Sequence, residues 1–507
     1  MSLAPSNATH LTQRQLESAL WAAANALRGP VDPGDFKSFV FPVMFFKWVS
    51  DSWDANHEEA FADFGEDLTD GIEASYQPFG IPDGCHFNDV MDTASNVGSK
   101  LGKTLLRIQE ANSGKLDGVF GDVNWSNTDR LPESALTALL DAFDKLTLNR
   151  SSIDGDMLGA AYEYLLREFA EASGKKAGEF FTPRHVVHLL VRLLDPQPGD
   201  SVCDPACGSA GMLVETVNAV NAAGGDARTL SLHGQEYNLT TAAMAKMNLY
   251  LHGLENFQIV RGDTFREPKL KDATGKLRKY NVVIANPPFS LQNWGADFWA
   301  RDPYGRAFGG EVPPPKNGDY AWIQHMISTM DDTDGRVGVV MPHGVLFRGG
   351  KEATIREQLI RSDLLEAVIG LPNNLFYSTT IPVCLLLFRA KKDAARIDKV
   401  LFVDAKARYA PGKNQNTMSD DDIDVITTAY QAGIDINGDN GLSLRLVDLA
   451  EIEANSFDLT IGRYIKGETA VEANVDQAIV LMREAQERLA AAQTALDERL
   501  KAAGFDA

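Results

Sequence analysis

Apolar residues along this chain repeat with two different periods, and the change between them divides it. Up to about residue 154 they recur every three to four positions. Leu16, Leu20 and Leu27 share one face of a segment opened by Thr12-x-x-Gln15, a spacing that predicts a capping box, and stopped by Gly29-Pro30. Asp35 is placed to cap the next helix, whose aromatic crowd (Phe36, Phe39, Phe45, Phe46, Trp48) predicts core rather than a base-stacking surface. The Asp- and Gly-rich stretch 60–125 predicts irregular chain. Helix resumes near Pro132 with Leu139, Leu140, Phe143 and Leu146.

From 155 to 410 short β-branched runs alternate with helical segments, the mark of an α/β doubly wound sheet. Strands are predicted at Asp200–Asp204, Leu230–Glu236, Gln258–Gly262, Asn281–Ala285, Arg336–Met341, Leu365–Gly370, Val383–Phe388 and Val400–Val403. Thr182-Pro183 reads as the cap and first turn of a helix carrying Val187, Leu190, Val191 and Leu194 on one face. A long loop, 290–319, holds Trp294, Phe298 and Trp299, which either line a pocket or anchor the loop. Residues 411–470 are the least legible and include an acidic turn, Ser419–Asp424. Beyond 471, Val475, Met482, Leu489 and Leu496 repeat every seven residues, with Ile479 and Leu500 on the alternate seam positions. That spacing predicts a C-terminal coiled-coil-like helix for docking a partner. The expected organisation is therefore 1–154, 155–410, 411–470 as an extension of the second unit, and 471–507.

Composition narrows this only slightly. With 507 residues, 44% hydrophobic and 23% charged, the chain is long enough for two or three domains of ordinary globular character. No apolar run is long enough to span a membrane, and the amino terminus lacks a basic-then-apolar leader pattern. The four cysteines (85, 203, 207, 384) have neither disulfide nor zinc spacing, which predicts reduced, buried thiols in a cytoplasmic protein, with no metal. The net charge of −22, from 48 basic and 70 acidic residues, runs against a nucleic-acid binder working alone. One basic cluster, Lys269, Lys271, Lys276, Arg278 and Lys279, runs the other way.

The chemistry is concentrated in two loops. The run Asn281-Val-Val-Ile-Ala285 stops at Asn286-Pro287-Pro288-Phe289, where the prolines stiffen the carboxyl end of a strand. The Asn286 side-chain oxygen and the Pro287 carbonyl can both accept from one exocyclic amine, with Phe289 offering a ring face. Upstream, Asp204-Pro-Ala206-Cys-Gly208-Ser209-Ala210-Gly211 joins a strand to a helix, with glycines where a ligand must approach the backbone. This is not the dinucleotide fingerprint. The carboxylate of Asp204 would repel a pyrophosphate but suits an ammonium, as on S-adenosylmethionine. Glu236, 32 residues on, is placed for two ribose hydroxyls, and Asp263, after the next strand, for an adenine amino group. Val97-Gly-Ser-Lys-Leu-Gly-Lys-Thr104 imitates a phosphate loop but lacks its first glycine and its preceding strand, and is not read as an ATP site.

These residues resemble the amino-group DNA methyltransferases, and more closely the modification subunit of type I restriction–modification systems. The likeness extends to Gly178-Glu179-Phe180-Phe181-Thr182-Pro183-Arg184, Met341–Gly350, Gly370–Phe376 and Phe36–Trp48. The order of elements, Phe-Phe-Thr-Pro before the Asp204 loop before Asn-Pro-Pro-Phe, is that of the γ class of adenine-N6 enzymes. The resemblance implies a doubly wound S-adenosylmethionine-dependent methyltransferase sheet with a helical amino-terminal domain. It implies that residues 179–184 join the Asp204 loop, Glu236 and Asp263 in holding the cofactor. It also implies DNA as substrate, a specificity subunit, a second copy of this chain, and a restriction subunit in the cleaving assembly. Adenine would have to leave the duplex to reach such a pocket. Two other functions fit parts of the pattern: a methyltransferase of glutamine side-chain amides, and a non-catalytic S-adenosylmethionine-binding scaffold.

Overall fold

The protein is described by a computed structural model over residues 11–32, 35–149, 152–153, 157–173, 182–376, 381–413 and 415–465, with five isolated positions between 483 and 494. Glu179, Phe180, Phe181 and all six apolar positions of the heptad seam Val475–Leu500 lie outside the described residues.

Among the described residues nine strands form one sheet: β1 (Ser201–Asp204), β2 (Ser231–Glu236), β3 (Phe257–Arg261), β4 (Val282–Ala285), β5 (Arg336–Pro342), β6 (Leu365–Gly370), β7 (Val383–Arg389), β8 (Lys399–Asp404) and β9 (Ser443–Asp448). Their order is β3-β2-β1-β4-β5-β7-β6-β8-β9. The chain winds outward from β1 to β3, then returns to place β4 on the other side of β1, so the winding reverses between β1 and β4. Both are parallel, with Cys203 opposite Val283. The carboxyl ends at such a reversal diverge and leave a crevice for ligands, and they carry Asp204 and Asn286.

The first eight strands match the sequence expectation. Two of the nine run antiparallel: β7 against β5 and β6, and β9 against β8. Strand β9 lies in the stretch that was illegible, because its alternation spans only Leu444 to Val447 among polar neighbours.

Helix Arg184–Leu194 packs across β5. A side chain on Gly338 would meet Leu190 and Leu194 at 2.8 Å, so glycine there lets helix and strand approach closely. This contact fixes the helix start, and with it Thr182, over the crevice. The helical layer holds Gln13–Asn25, Phe36–Phe64 and Met157–Ser173, and its core includes Met244, Met247 and Tyr250 of helix Leu239–Leu251. The Tyr162 hydroxyl donates to the Met244 carbonyl at 3.0 Å. The two layers therefore share a helix that also flanks the sheet.

Several local expectations are corrected. About half of the stretch 60–125 is helical, with Asp70–Tyr76, Phe87–Met91 and Val97–Ala111. Gly80, Asp83, Gly84, Gly114, Gly118 and Gly121 lie between its helices, whereas Gly71, Asp89, Gly98 and Gly102 lie within them, which hides the period. The rejected phosphate-loop look-alike is the start of helix Val97–Ala111. Asp35 precedes its helix without capping it; its carboxylate is held by Arg130 at 2.7 and 3.0 Å. The acidic turn at 419–424 is a helix start: Ser419 and Asp422 form a capping box on Asp420–Ala432, where acids oppose the helix dipole favourably. The Thr12–Gln15 capping box is present, and Phe36, Phe39, Phe45 and Phe46 are core. All four cysteines are free and buried. Among the described residues no helix is long and apolar enough to cross a membrane.

Candidate active site

The loop after β1 turns sharply into helix Gly211–Ala222. Gly208 and Ala210 both take left-handed backbone angles, φ +53° and +65°. Glycine tolerates this freely, whereas Ala210 carries about 1–2 kcal/mol of strain. A side chain on Gly208 or Gly211 would meet nothing within 4 Å. The glycines therefore face open space at a helix amino terminus, as a ligand-approach role requires.

Two cavities open on this loop and share Ala206 as a wall. The larger, about 400 Å³, is lined by Thr182, Asp204, Gly208, Ser209 and Asn286, with His185 beside them. The smaller, about 270 Å³, is lined by Glu236, Tyr237, Asp263, Pro288 and Trp294 among others. The described cofactor candidates, except Ala210, which is buried and lines neither cavity, thus divide between two adjoining chambers that share Ala206, with Asn286 on one and Pro288 on the other.

Asp204 is 2% exposed, and its Oδ1 accepts from the Ala206 N–H at 3.0 Å. Burial pushes its carboxyl up to about 8, opposed by that N–H and reinforced by the charge of Glu236. A buried acid this poorly neutralised is suited to receive a cationic group. Glu236 accepts from the Gly208 N–H at 3.0 Å and the Asn238 N–H at 2.8 Å, which fixes it between loop and cavity. Asp263 lines the smaller chamber and is also engaged within the protein. Its Oδ1 accepts from the Phe265 and Arg266 amides and its Oδ2 pairs with Arg266 at 2.7 Å. It shapes the smaller chamber, with much of its acceptor capacity committed within the protein.

Asn286 supplies the central observation. Its Nδ2 donates to the Thr182 hydroxyl oxygen at 2.8 Å, while its Oδ1 is buried and has no hydrogen-bond partner among the described residues. An unmet buried acceptor normally costs about 1–3 kcal/mol, and here it belongs to a residue on the cavity wall. Thr182 does not cap its helix, whose N-cap is Pro183 without a side-chain hydrogen bond. Phe289 lies against Phe376, ring centroids 6.3 Å apart and edge-on, and lines neither chamber.

Sequence reasoning missed the braces. The Ser290 N–H, at φ +52°, donates to Asp319 Oδ1 at 2.6 Å. Asp319 is fully buried and takes Arg348 at 2.5 Å on its other oxygen, and Arg348 pairs with Glu352 at 2.5 Å. Arg348 stood inside a quoted motif, so a signal existed without a role. Asp319→Ala is expected to cost about 3 kcal/mol by stranding a partly buried cation and to slow catalysis by loosening the loop. Urea unfolding unchanged from wild type would remove Asp319 from the brace. On the other side, Arg306 is buried against Asp302, donates to the Thr264 and Phe265 carbonyls at 2.9 and 2.7 Å, and lies over Trp299. Trp299 anchors the loop through the Phe265 carbonyl, Trp294 both anchors and lines the smaller chamber, and Phe298 is exposed. His185, also unforeseen, is a neutral imidazole pushed down to about 4 by burial. Of the basic cluster, Lys279 pairs with Asp332 and Lys269 lies 3.8 Å from Glu267, which removes part of its charge.

A doubly wound sheet with a glycine-turn loop, a buried acid and an acid after β2 defines an S-adenosylmethionine-dependent methyltransferase. The N-6 DNA methylase family matches residues 153–473, and the HsdM N-terminal domain matches 16–143. The chain belongs to the N-6 DNA methylase family. It is similar to the type I restriction enzyme HindI methylase subunit of Haemophilus influenzae, 33% identical over 70% of this chain and 80% of that one. It is 35% identical to the MjaVII methylase subunit of Methanocaldococcus jannaschii over 69% of this chain, spanning 59% of that protein's length. The type I methyltransferase subunit of Streptococcus thermophilus superposes with a TM-score of 0.78 at 29% identity, covering 90% of this chain and all of that one. Membership makes the chain an adenine-N6 DNA methyltransferase of the type I modification-subunit kind, with S-adenosylmethionine as methyl donor. The glutamine-amide and scaffold readings find no support here.

Proposed function

We propose that this chain methylates N6 of an adenine swung out of duplex DNA, within an assembly whose specificity subunit chooses the sequence. The observation that carries this reading is Asn286, a residue of the chamber wall whose buried Oδ1 has no partner among the described residues. Asp204 would receive the ammonium of the cofactor, Glu236 the ribose hydroxyls, and the smaller chamber the adenine ring. The resemblance adds Glu179, Phe180, Phe181, Pro183, Arg184, Ser209 and Ala210 to that shell. Bound there, S-adenosylmethionine supplies an electrophilic methyl group on sulfur.

The chain's own residues act on the amine. An adenine N6 lone pair is delocalised into the ring, which makes it a poor nucleophile. Asn286 Oδ1 and the Pro287 carbonyl accept from its two N–H groups and favour the tetrahedral nitrogen of the transition state. The proline pair holds both acceptors in place beforehand, and the Ser290–Asp319 brace keeps the loop from relaxing. Phe289, set edge-on to Phe376, is near enough in sequence to flank the base.

The chain's acidity, −22, and its partly neutralised basic cluster support division of labour. The specificity subunit would dock partly through the Val475–Leu500 seam, with two copies of this chain per complex and a restriction subunit joining for cleavage. Tritiated-methyl transfer to unmethylated DNA, with and without the co-expressed specificity subunit, tests this directly. Expected is label in N6-methyladenine from the complex and little from the chain alone. Site-specific methylation by the isolated chain at an ordinary enzymatic rate would overturn the partner requirement, and label in protein would overturn the substrate.

A further inference from the structure

The 2.8 Å hydrogen bond from Asn286 Nδ2 to Thr182 Oγ1 joins the catalytic loop to the element that precedes helix Arg184–Leu194. A threonine hydroxyl is one donor and also an acceptor. By itself it can face either end of a side-chain amide, so the bond leaves the direction of Asn286 undecided until the hydroxyl proton is engaged elsewhere. Thr182, Asn286 and Asp204 all line the larger chamber. The cofactor's amino-acid end has one acceptor-only group, its carboxylate, and one donor-only group, its ammonium. Asp204 when ionised accepts only, so it takes the ammonium, which leaves the carboxylate for a donor.

We propose that Thr182 is a positioning residue that converts cofactor binding into the correct orientation of Asn286. When its proton is given to the cofactor carboxylate, Oγ1 can only accept. It then fixes the amide nitrogen of Asn286 toward itself and turns Oδ1 toward the target amine. Oδ1, which has no partner among the described residues, is what this arrangement leaves for the adenine. The inference rests on the proposed methyl transfer to adenine, and it adds a coupling: the cofactor strengthens the grip on the base through one hydroxyl.

The test uses the full chain assembled with its specificity subunit and compares wild type, Thr182→Val and Thr182→Ser. Valine keeps the shape and removes both hydrogen-bonding roles, and serine restores them. DNA affinity is measured with and without S-adenosylhomocysteine, which retains the amino-acid end. Coupling free energies between sites commonly correspond to about fivefold or more in affinity. Wild type and Thr182→Ser should therefore bind DNA at least about fivefold tighter with the ligand, and Thr182→Val should lose that gain. A duplex carrying purine, which lacks the amine, should show no gain with any of the three. At saturating S-adenosylmethionine, kcat of Thr182→Val should fall at least tenfold while Thr182→Ser stays within about threefold.

Unchanged kcat in Thr182→Val, with only KM for the cofactor raised, would show a plain cofactor ligand and overturn the proposal. Equal failure of the serine variant, with melting temperatures matching wild type, would do the same. An inert wild-type complex that still binds S-adenosylmethionine would instead sink the proposed function itself.

Discussion

Asn286→Ala should reduce methyl transfer by about 10²–10³-fold, the usual effect of removing one preorganised transition-state partner. Its affinity for S-adenosylmethionine should stay within a few-fold of wild type. The reason lies in where the side chain sits: its oxygen has no partner among the described residues, and its nitrogen is spent on Thr182 rather than on the loop after β1. Phe289→Ala should show a smaller loss, because Phe289 is half-buried against Phe376 and part of its area serves packing. Single-turnover transfer and calorimetry on the same preparations separate the two effects. If both variants lose cofactor binding while remaining folded, the amine-holding role belongs to another residue.

The sheet was legible wherever a strand is buried on both faces, because such strands read as continuous apolar runs bounded by turn residues. Segments β4 and β5 are buried at every position, and both were found. Edge strand β9 exposes part of its length and was not. Helices Asp70–Tyr76 and Phe87–Met91 are too short to establish a period, and Val97–Ala111, which carries Val97, Leu101, Leu105 and Ile108 on one face, was obscured by Gly98 and Gly102 within it. The site divides along a similar line. Asp204, Gly208, Glu236 and Asn286 stand at strand ends where local sequence places them, and the structure brings them to two adjoining chambers. Asp319 and Arg306 act through tertiary contacts, 29 residues to Ser290 and 41 to Phe265. No local pattern announces such a brace. The same holds for the helical domain's share of the larger chamber, where Gln13, Glu17, Glu163 and Arg167 form part of the wall. Thr182 was assigned by position to a cap and by resemblance to the cofactor; its bond to Asn286 follows only from helix Arg184–Leu194 lying across β5.

Asp204→Asn should separate stability from binding, with opposite signs. In the folded protein burial raises this carboxyl from its ordinary 3.8 to about 8. Between those values the folded chain retains a proton that the unfolded chain has released. The ionised form is the one disfavoured by burial, so stability is undiminished below about pH 4, falls as pH rises through the window and levels off above about pH 8. Asparagine keeps the shape and cannot ionise, which removes that decline. The variant should therefore melt at least about 2–4 °C higher than wild type at pH 8 and close to it at pH 4. Binding should move the other way, because the charge is gone. Loss of one charge-assisted hydrogen bond of about 1.5–3 kcal/mol weakens S-adenosylmethionine binding by about 10- to 100-fold. In wild type, binding a cation expels the proton from Asp204, so this group makes affinity rise from pH 6 to pH 8, and the variant should lack that rise. Thermal melts and calorimetry in two buffers of different ionisation enthalpy read both effects. A variant that binds the cofactor as tightly as wild type, or that releases the same number of protons on binding, would take the ammonium away from Asp204 and assign it to another wall of the chamber.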